Sequence, residues 1–320
     1  FYNENKNIFK SLKKLKVNHD YINFDQDKIN FLELLTKMIN TYDQPVITLT
    51  SMLHWKLMEK IKRKNYKVCI SGIGGDELFT GYYHHHVLMI KYLKNLNKKK
   101  SFIRNWEKFT KPLTRNKLIN KKTYDSKFNE NLYTFQYQKF KNDLIIKNNK
   151  KFLKNFSKKK YSNDKLRNKL LSEMFNEVVP TILHQDDINA MNFSIENRSP
   201  FLDTKILKLA MQIPSEKLIK HGFTKWFLRK AGSHSKTVSN DIMFDSKKIG
   251  FNLSLKTLIK NQKNIIYNFL KSDSKIYDVI DKKKFLKIFK KNNFDGDENN
   301  FIFNVISVKI FLKKYEYKYM

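Results

Sequence analysis

The sequence of 320 residues contains a single cysteine, Cys69, and no uninterrupted apolar run of the length that spans a membrane. One cysteine excludes an internal disulfide framework and a zinc site built from several thiolates, which agrees with a reducing compartment. A spanning helix needs roughly 18 or more consecutive apolar residues, and no charged-then-apolar leader opens the chain. These absences predict a cytoplasmic protein that does not use a membrane as its partner.

Acidic residues are scarce: 30 Asp and Glu face 64 Lys and Arg, which gives a formal net charge of +34. A charge of this size can indicate a nucleic-acid partner. Arginine, which recognises phosphate better than lysine does, occurs at only six positions, and lysine is enriched along the whole chain. We therefore interpret the lysines as a solvated surface. The alternative, a basic helical nucleic-acid-binding protein, predicts binding that weakens steeply with salt.

Hydrophobic periodicity predicts amphipathic helices over 28–42 and 51–64, a short strand over 19–24 and a buried strand over 66–71. This alternation of helices and strands is typical of an α/β fold. From Glu77 onward the periodicity is almost entirely helical, ending in a helix over 299–315 that we expect to pack against the rest of the domain.

A turn with the sequence SGIGGDE, residues 71–77, follows the strand predicted over 66–71. Such a turn presents backbone N–H groups to an anion, and glycine allows both positive φ and close approach of a ligand. The pattern is neither a Walker A loop nor a G-x-G-x-x-G fingerprint. Because the Asp76 carboxylate would repel phosphate, we expect a Mg²⁺ ion between them. The alternative is a tight turn whose acids favour the start of a helix.

Two further segments carry charges that suggest a site. In SIENRSPFLD, residues 194–203, Glu196 and Arg198 are expected to be partly buried and to need partners. In GFTKWFLRKA, residues 222–231, Lys225 and Arg229 are four apart and are therefore predicted to share one helical face that could meet a phosphate group. The alternative for this pair is a solvated basic face.

His84, His85 and His86 follow the glycine turn on a predicted helix. Consecutive helical residues point in different directions, so these three cannot form the metal-binding pair that i, i+4 spacing provides. We expect histidines on the surface or packed against a partner rather than a metal site. Cys69, inside a predicted strand, is expected to be an inert core residue.

In this order, the motifs resemble those of the asparagine synthetase family. ISGIGGDELFTGYY is similar to that family's S-G-x-G-x-D-E-hydrophobic-F-x-G-Y motif, and SIENRSPFLD and GFTKWFLRKA resemble its S-hydrophobic-E-x-R-x-P-F-L-D and T-K-x-x-L-R signatures. YDQPVITLTS at 42–51 and KKIGF at 247–251 resemble two weaker elements, so the resemblance covers most of 19–251.

The resemblance implies an adenine-nucleotide α-hydrolase-like parallel sheet, incomplete at the amino terminus, with a large all-helical carboxyl-terminal portion. On this basis residues 1–98 would be a partial ATP-pyrophosphatase α/β core, and 99–320 the helical remainder of the same synthetase domain. It also implies a ligase that activates a carboxylate, aspartate in the family, with ATP and Mg²⁺ as an acyl-adenylate, releases pyrophosphate and lets glutamine-derived ammonia attack.

The resemblance also assigns roles to individual residues. Ser71 and Gly72, with Gly74 and Gly75 of the same turn, would bind ATP, and Asp76 would help hold Mg²⁺. The Lys225 ammonium would stabilise charge on the reacting acyl and phosphoryl groups, and Arg229 would support it. These roles agree with chemistry that consists of positioning and charge neutralisation. The family also implies a glutaminase domain upstream and allows a homodimer.

Three departures from the family pattern qualify this interpretation. The S-G-G-x-D-S phosphate loop and the amino-terminal glutaminase domain are absent from the sequence, so the chain by itself is expected to be inactive. Ile73 stands where asparagine-forming members have a glutamate, and an apolar side chain cannot act as a base. Two alternatives therefore stay open: a relative that amidates a different carboxylate, in surface-polysaccharide or secondary metabolism, and a catalytically inactive family member.

Overall fold

The computed structural model describes residues 5–20, 29–114, 144, 159–236, 238–245, 254–291, 294 and 296–316. In the first half of the chain the elements are α1 (Asn5–Leu15), α2 (Phe31–Tyr42), α3 (Leu49–Arg63), β1 (Val68–Ile70), α4 (Gly75–Phe79), α5 (Tyr83–Tyr92) and α6 (Leu96–Asn105), the last continuing into a π-helix (Trp106–Thr110) and a 3₁₀ turn (Lys111–Leu113). The helices predicted over 28–42 and 51–64 are confirmed as α2 and α3.

The second half contains α7 (Lys165–Ser172), a π-helix (Glu173–Glu177), α8 (Val179–Asn192), β2 (Glu196–Arg198), a 3₁₀ turn (Pro200–Leu202), α9 (Thr204–Gln212), a 3₁₀ turn (Ser215–Lys217), α10 (Trp226–His234) and α11 (Asn240–Met243). It ends with α12 (Leu255–Leu258), 3₁₀ turns (Lys260–Gln262 and Lys275–Asp278), α13 (Lys263–Lys271), α14 (Lys282–Lys290) and α15 (Gly296–Glu316). No helix among these described elements is both long and apolar enough to cross a membrane.

Strands β1 and β2 pair in parallel, with Cys69 opposite Asn197. Parallel neighbours need a long connection, and here the chain between them passes through α4 to α8. The mixed composition is consistent with the predicted α/β class. The strand predicted over 66–71 is confirmed as β1, but the expectation that it is buried is wrong, because the Val68 and Ile70 side chains are 42% and 75% exposed. These two side chains lie on one face of the sheet, and the described residues leave that face open to solvent.

The strand predicted over 19–24 is not seen at His19 and Asp20, which lie in irregular backbone, and 21–24 falls outside the described residues. The KKIGF element at 247–251 also lies outside them. The helix predicted over 299–315 is confirmed as part of α15, and its apolar side chains Ile302 and Ile306 are fully buried.

The largest apolar core joins α2 and α3 to α12 through α15, with Phe31 on one side and Phe303 on the other in edge contact at 6.4 Å. A second core holds the segment that follows the glycine turn, because Leu78 and Phe79 of α4 pack with Leu170 of α7 and Ala210 of α9. The turn between β1 and α4 is thus fixed at both ends, by a strand pair and by a buried helix.

Candidate functional site

The glycine turn leaves β1 at Ser71 and enters α4 at Gly75. Ser71 N donates to Arg198 O of β2 at 2.8 Å, and its hydroxyl lies 2.9 Å from that of Ser199. Gly74 has φ +91°, and a Cβ there would lie 2.5 Å from Leu202 Cδ2. A Cβ at Gly72, in contrast, would meet nothing within 4 Å. Gly74 is therefore required by the fold itself, whereas Gly72 leaves open space beside the turn.

Asp76 and Lys225 meet at this turn although 149 positions separate them in the sequence. Lys225 Nζ is in ion-pair contact with Asp76 Oδ1. Their side chains are 24% and 35% exposed, so both also reach solvent. Lys225 adopts the left-handed conformation, φ 54°, and its backbone N–H donates to Phe79 O at 3.0 Å. The structure thus brings together two of the predicted site residues.

Gly81 makes room for the Asp76 side chain. A Cβ at Gly81 would lie 2.0 Å from Asp76 Oδ1, and the Gly81 N–H donates to Asp76 O at 2.8 Å. A side chain at this position would have to displace the carboxylate. Gly81 therefore fixes the position of the Asp76 side chain. The Gly-Tyr pair at the end of the motif is the sequence feature that indicates this role.

Arg229 does not join Lys225 at the turn. Lys225 is the residue before α10 rather than a member of it, so the prediction that the two cations share one helical face is wrong. The Arg229 guanidinium donates to the carbonyl oxygens of Thr224 at 2.7 Å and Asp245 at 3.1 Å, and also to that of Met243. Burial lowers the pKa of Arg229. This side chain ties α10 to the segment that follows α11.

Glu196 and Arg198 were expected to be partly buried, and this is also wrong: on β2 their side chains are 57% and 62% exposed. They do pair with each other, since Arg198 Nε donates to Glu196 Oε1 at 2.9 Å. Residues at i and i+2 of a strand lie on the same face, which brings the two charges together in water.

A cleft of about 460 Å³ lies at the carboxyl end of β1. One wall is the turn, and the other is formed by α3 and α8. The lining residues are His54, Leu57, Met58, Ile61, Cys69, Ile70, Ser71, Gly72, Ile73, Gly74, Asp76, Glu77, Tyr82, Ile182, Asp186 and Asn197. Cys69 lines this cleft, is half-buried, and packs against a small apolar cluster of Met58, Ala190 and Ile195; burial raises the pKa of its thiol. A reactive thiolate is not favoured there.

The wall opposite the turn contains a polar network that sequence reasoning missed. Tyr42 Oη donates to Asn189 Oδ1 at 2.8 Å, and Asn189 Nδ2 donates to Ser51 O and to His54 Nδ1, both at 3.1 Å. The Asp186 carboxylate lies 3.4 Å from the same His54 nitrogen. Burial raises the pKa of Asp186 to about 7 and lowers that of His54 to about 4. At neutral pH these two groups do not form an ion pair, because the imidazole is uncharged.

A second buried cluster lies behind the turn. His84 Nε2 and His85 Nε2 contact the two oxygens of Glu173 at 2.6 and 2.8 Å, and all three side chains are buried. The expectation of surface or partner-facing histidines is therefore wrong for these residues. His86 is also buried, and its Nε2 lies 3.1 Å from Gly222 O. The helix packs all three imidazoles inside the protein.

The His84, His85 and Glu173 ligand atoms lie within 4.8 Å of one another, as a metal site would require. However, His85 Nδ1 accepts a hydrogen bond from Tyr82 N at 3.2 Å. A neutral His85 therefore carries its proton on Nε2 and donates it to Glu173, so this nitrogen has no lone pair for a metal. The cluster acts as a buried hydrogen-bonded anchor between α5 and the π-helix.

Glu77 links the anchor to the cleft. It is buried, and Tyr82 Oη donates to its carboxylate. The Tyr82 ring in turn stacks on His84, with 5.4 Å between ring centroids. Burial raises the pKa of Glu77, and the Tyr82 hydrogen bond opposes this rise. The acidic pair of the motif thus divides its tasks: Asp76 faces Lys225, and Glu77 faces the interior.

The fold and the site together define a mixed α/β domain with a charged cleft at the end of its parallel strands. Residues 1–309 match the family model described as asparagine synthase, and the chain belongs to this family. It is also similar to glutamine-hydrolyzing asparagine synthetase 1 of Bacillus subtilis strain 168, with 36% identity over 83 residues. That alignment covers 26% of this chain and 13% of the length of the relative.

Proposed function

We propose that this cleft is the synthetase site of an ATP-dependent amide-forming ligase. In this reaction a carboxylate attacks ATP, pyrophosphate leaves, and ammonia displaces AMP from the acyl-adenylate. Family membership supports the ligase class. The observation that carries the assignment to this cleft is the meeting of Asp76 and Lys225 beside the glycine turn. A carboxylate and an ammonium group from distant parts of the chain are the charges that a magnesium-bound polyphosphate needs.

The residues present fit a magnesium-bound nucleotide. The Asp76 carboxylate lines the cleft, is partly exposed, and offers the hard oxygen ligands that Mg²⁺ prefers. ATP with its Mg²⁺ supplies the adenylyl group that activates the acid and the pyrophosphate that leaves. The Ser71 hydroxyl and the backbone beside Gly72, Gly74 and Gly75 bind and orient it; the open space at Gly72 lets a ligand approach closely.

Lys225 is the residue to which we assign stabilisation of the charge that develops during transfer. Its four-carbon side chain is flexible, so its ammonium group could move from Asp76 to a phosphate oxygen of a bound nucleotide. Arg229 supports the site indirectly, since its guanidinium is engaged by carbonyl oxygens and holds α10 in place. We therefore propose Arg229 as a positioning residue.

Ile73 bears on which carboxylate the enzyme would amidate. Its side chain lines the cleft, as that of Ile182 does, and packs against the second core. An apolar surface at this point suits an acceptor other than aspartate. We therefore keep, as a second candidate, a relative that amidates a larger or less polar carboxylate. Turnover with aspartate alone among a panel of carboxylates would exclude it.

Several finer features belong to the same proposal. The exposed Val68 and Ile70 side chains on β1 form the face that a helix of an adenine-nucleotide α-hydrolase-like fold would cover. The Bacillus relative is described as glutamine-hydrolyzing, which supports glutamine as the nitrogen source through an upstream glutaminase domain. The division at residue 98, a cytoplasmic location and a homodimer stay predictions.

The test is exchange of labelled pyrophosphate into ATP by the full-length protein, measured with a panel of carboxylates and with EDTA as the magnesium-free arm. We expect exchange that requires both Mg²⁺ and one class of carboxylate. Asp76→Asn should lower the exchange rate by about 10²–10³-fold without loss of the folded circular-dichroism spectrum, whereas Asp241→Asn, a change at an exposed aspartate, should not lower it. Absence of exchange with every carboxylate would contradict the proposal and favour an inactive family member.

A further inference from the structure

The Asp186 carboxyl is a half-buried acid to which the described residues supply no hydrogen-bond donor. Its side chain is 17% exposed and lines the cleft opposite the glycine turn. His54 Nδ1 is 3.4 Å away, yet this nitrogen accepts the Asn189 Nδ2–H. Asn189 cannot be turned around, since its oxygen accepts from Tyr42 and its other N–H donates to Ser51 O. His54 therefore presents a lone pair, not a proton, to Asp186.

The other groups that face Asp186 do not compensate for this. Tyr42 on α2 uses its hydroxyl proton on Asn189, and Cys69 on β1 directs its thiol to Asn197 Oδ1 at 3.4 Å. Charge on Asp186 raises the pKa of both the Tyr42 hydroxyl, beyond the effect of burial, and the Cys69 thiol. Among the described residues, no cation lies against this carboxyl. A buried carboxylate in this state is costly unless a ligand brings a positive charge to it.

We propose that Asp186 is the recognition site for a protonated amine in the substrate cleft. The carboxylate faces a space large enough for a small molecule, at the carboxyl end of β1 where the turn begins. An ammonium group brings both the charge and the N–H donors that the described surroundings of Asp186 lack. The inference rests on the proposed function only in treating this cleft as the place where substrates bind.

Two sources of such an amine fit the reaction: the amino group of an amino-acid acceptor, or the ammonia that attacks the activated acid. Both bring the same chemistry to the carboxylate. Because the ionised form of Asp186 is the form that binds a cation, affinity should rise with pH through the pKa of about 7 and then level off. A ligand cation should in turn lower that pKa.

The experiment follows the Asp186 carboxyl directly by ¹³C NMR of aspartate-labelled protein, with Asp186→Asn to assign its signal. The titration is run in potassium chloride, in ammonium chloride and in methylammonium chloride at equal ionic strength. We expect the ammonium or methylammonium salt to lower the pKa of Asp186 relative to potassium and to leave exposed Asp187 unchanged. An Asp186 titration that is the same in all three salts would contradict the free-amine source.

The second arm measures binding of amino acids and of their deaminated analogues, such as aspartate against succinate, by calorimetry at pH 8. An amino-acid acceptor predicts binding about tenfold weaker in Asp186→Asn, the effect of losing one charged hydrogen bond, with wild-type affinity in the matched control Asp187→Asn. Tighter binding of an amino acid than of its deaminated analogue would show that Asp186 binds the amino group of the acceptor. A response only to free amines would show that it binds the attacking ammonia. No response in either arm overturns the proposal.

These measurements contain no ATP. A response of Asp186 to amines together with absence of pyrophosphate exchange would leave the amine site in place and remove the proposed ligase function. Pyrophosphate exchange without any response of Asp186 to amines would remove the amine site and leave the proposed ligase function in place.

Discussion

Two carboxyl groups near the glycine turn, the buried Glu173 and the half-buried Asp186, show opposite electrostatic behaviour. Burial alone would raise the pKa of both. At Glu173 the contacts with His85 and His84 outweigh burial and hold its pKa well below the usual range, whereas at Asp186 burial meets no opposing contact from the described residues and raises the pKa to about 7. The difference is the supply of donors, not the depth of burial. Glu173 is satisfied by the protein and anchors the fold, whereas Asp186 is left for a ligand.

We expect the largest loss of stability from removing Glu173, the carboxyl whose hydrogen bonds the protein satisfies. Glu173→Ala removes the acceptor shared by His84 and His85 and leaves Lys169, 3.6 Å from one of its oxygens, without that partner. Removing one member of a buried charged network costs about 3–5 kcal/mol. Urea denaturation at pH 7 measures this loss. Glu216→Gln, at an exposed residue, is the control and should change stability by less than about 0.5 kcal/mol.

The pH dependence of this loss has a definite sign. A carboxyl whose pKa is depressed in the folded state stabilises it above the unfolded pKa of about 4.3 and loses that contribution as the pH falls through the folded value. The stability difference between wild type and Glu173→Ala should therefore shrink below about pH 4. A difference that is constant from pH 7 to pH 3 would contradict the role of the ionised Glu173.

Asp186→Asn should change the stability of the folded state in the opposite direction. A carboxyl with a raised pKa favours the folded state fully below its unfolded pKa and loses this contribution as the pH rises through the folded value near 7. The variant should be more stable than wild type at pH 8, by about 1–3 kcal/mol, because it removes an unsatisfied buried charge. This gain should disappear near pH 4. Thermal denaturation at both pH values measures it, with Asp187→Asn as the matched control.

The hydrogen bonding of Glu77 should contribute an amount of stability between those of Glu173 and Asp186, because among the described residues one side chain, Tyr82, donates to it. Tyr82→Phe removes that donor and should cost about 1 kcal/mol at pH 7, the net contribution of a typical hydrogen bond. The exposed Tyr66→Phe should be neutral. If Tyr82→Phe were as costly as Glu173→Ala, the number of donors would not explain the order of the three carboxyls.

The sequence predicted the elements whose information is local. Helices α2, α3 and much of α15 were found because their apolar residues recur at helical spacing. The strand predicted over 66–71 is present as β1. Its Val68 and Ile70 side chains are nevertheless exposed, because an apolar run does not show whether a helix covers the face of the sheet. The pairing of Asp76 with Lys225 was implied by family resemblance rather than by spacing.

The features that the sequence did not predict depend on distant contacts. Lys225 and Arg229 have helical spacing, but the left-handed backbone at Lys225 turns the first away from the second. Glu173 meets His84 and His85 across the packing of α5 on the π-helix, and Asp186 meets the cleft because α8 lies beside α3. No local pattern distinguishes Asp186 from the exposed Asp187 that follows it.

If Asp76 and Lys225 act together on one nucleotide, as we propose, a double-mutant cycle on pyrophosphate exchange should show that their effects are coupled. Lys225→Ala should lower the exchange rate by about 10²–10³-fold and affect ATP binding far less, whereas exposed Lys208→Ala should have no effect. Residues that act as a unit are not additive, so Asp76→Asn combined with Lys225→Ala should cost little more than the worse single change. Losses that multiply, as for two independent sites, would contradict the claim.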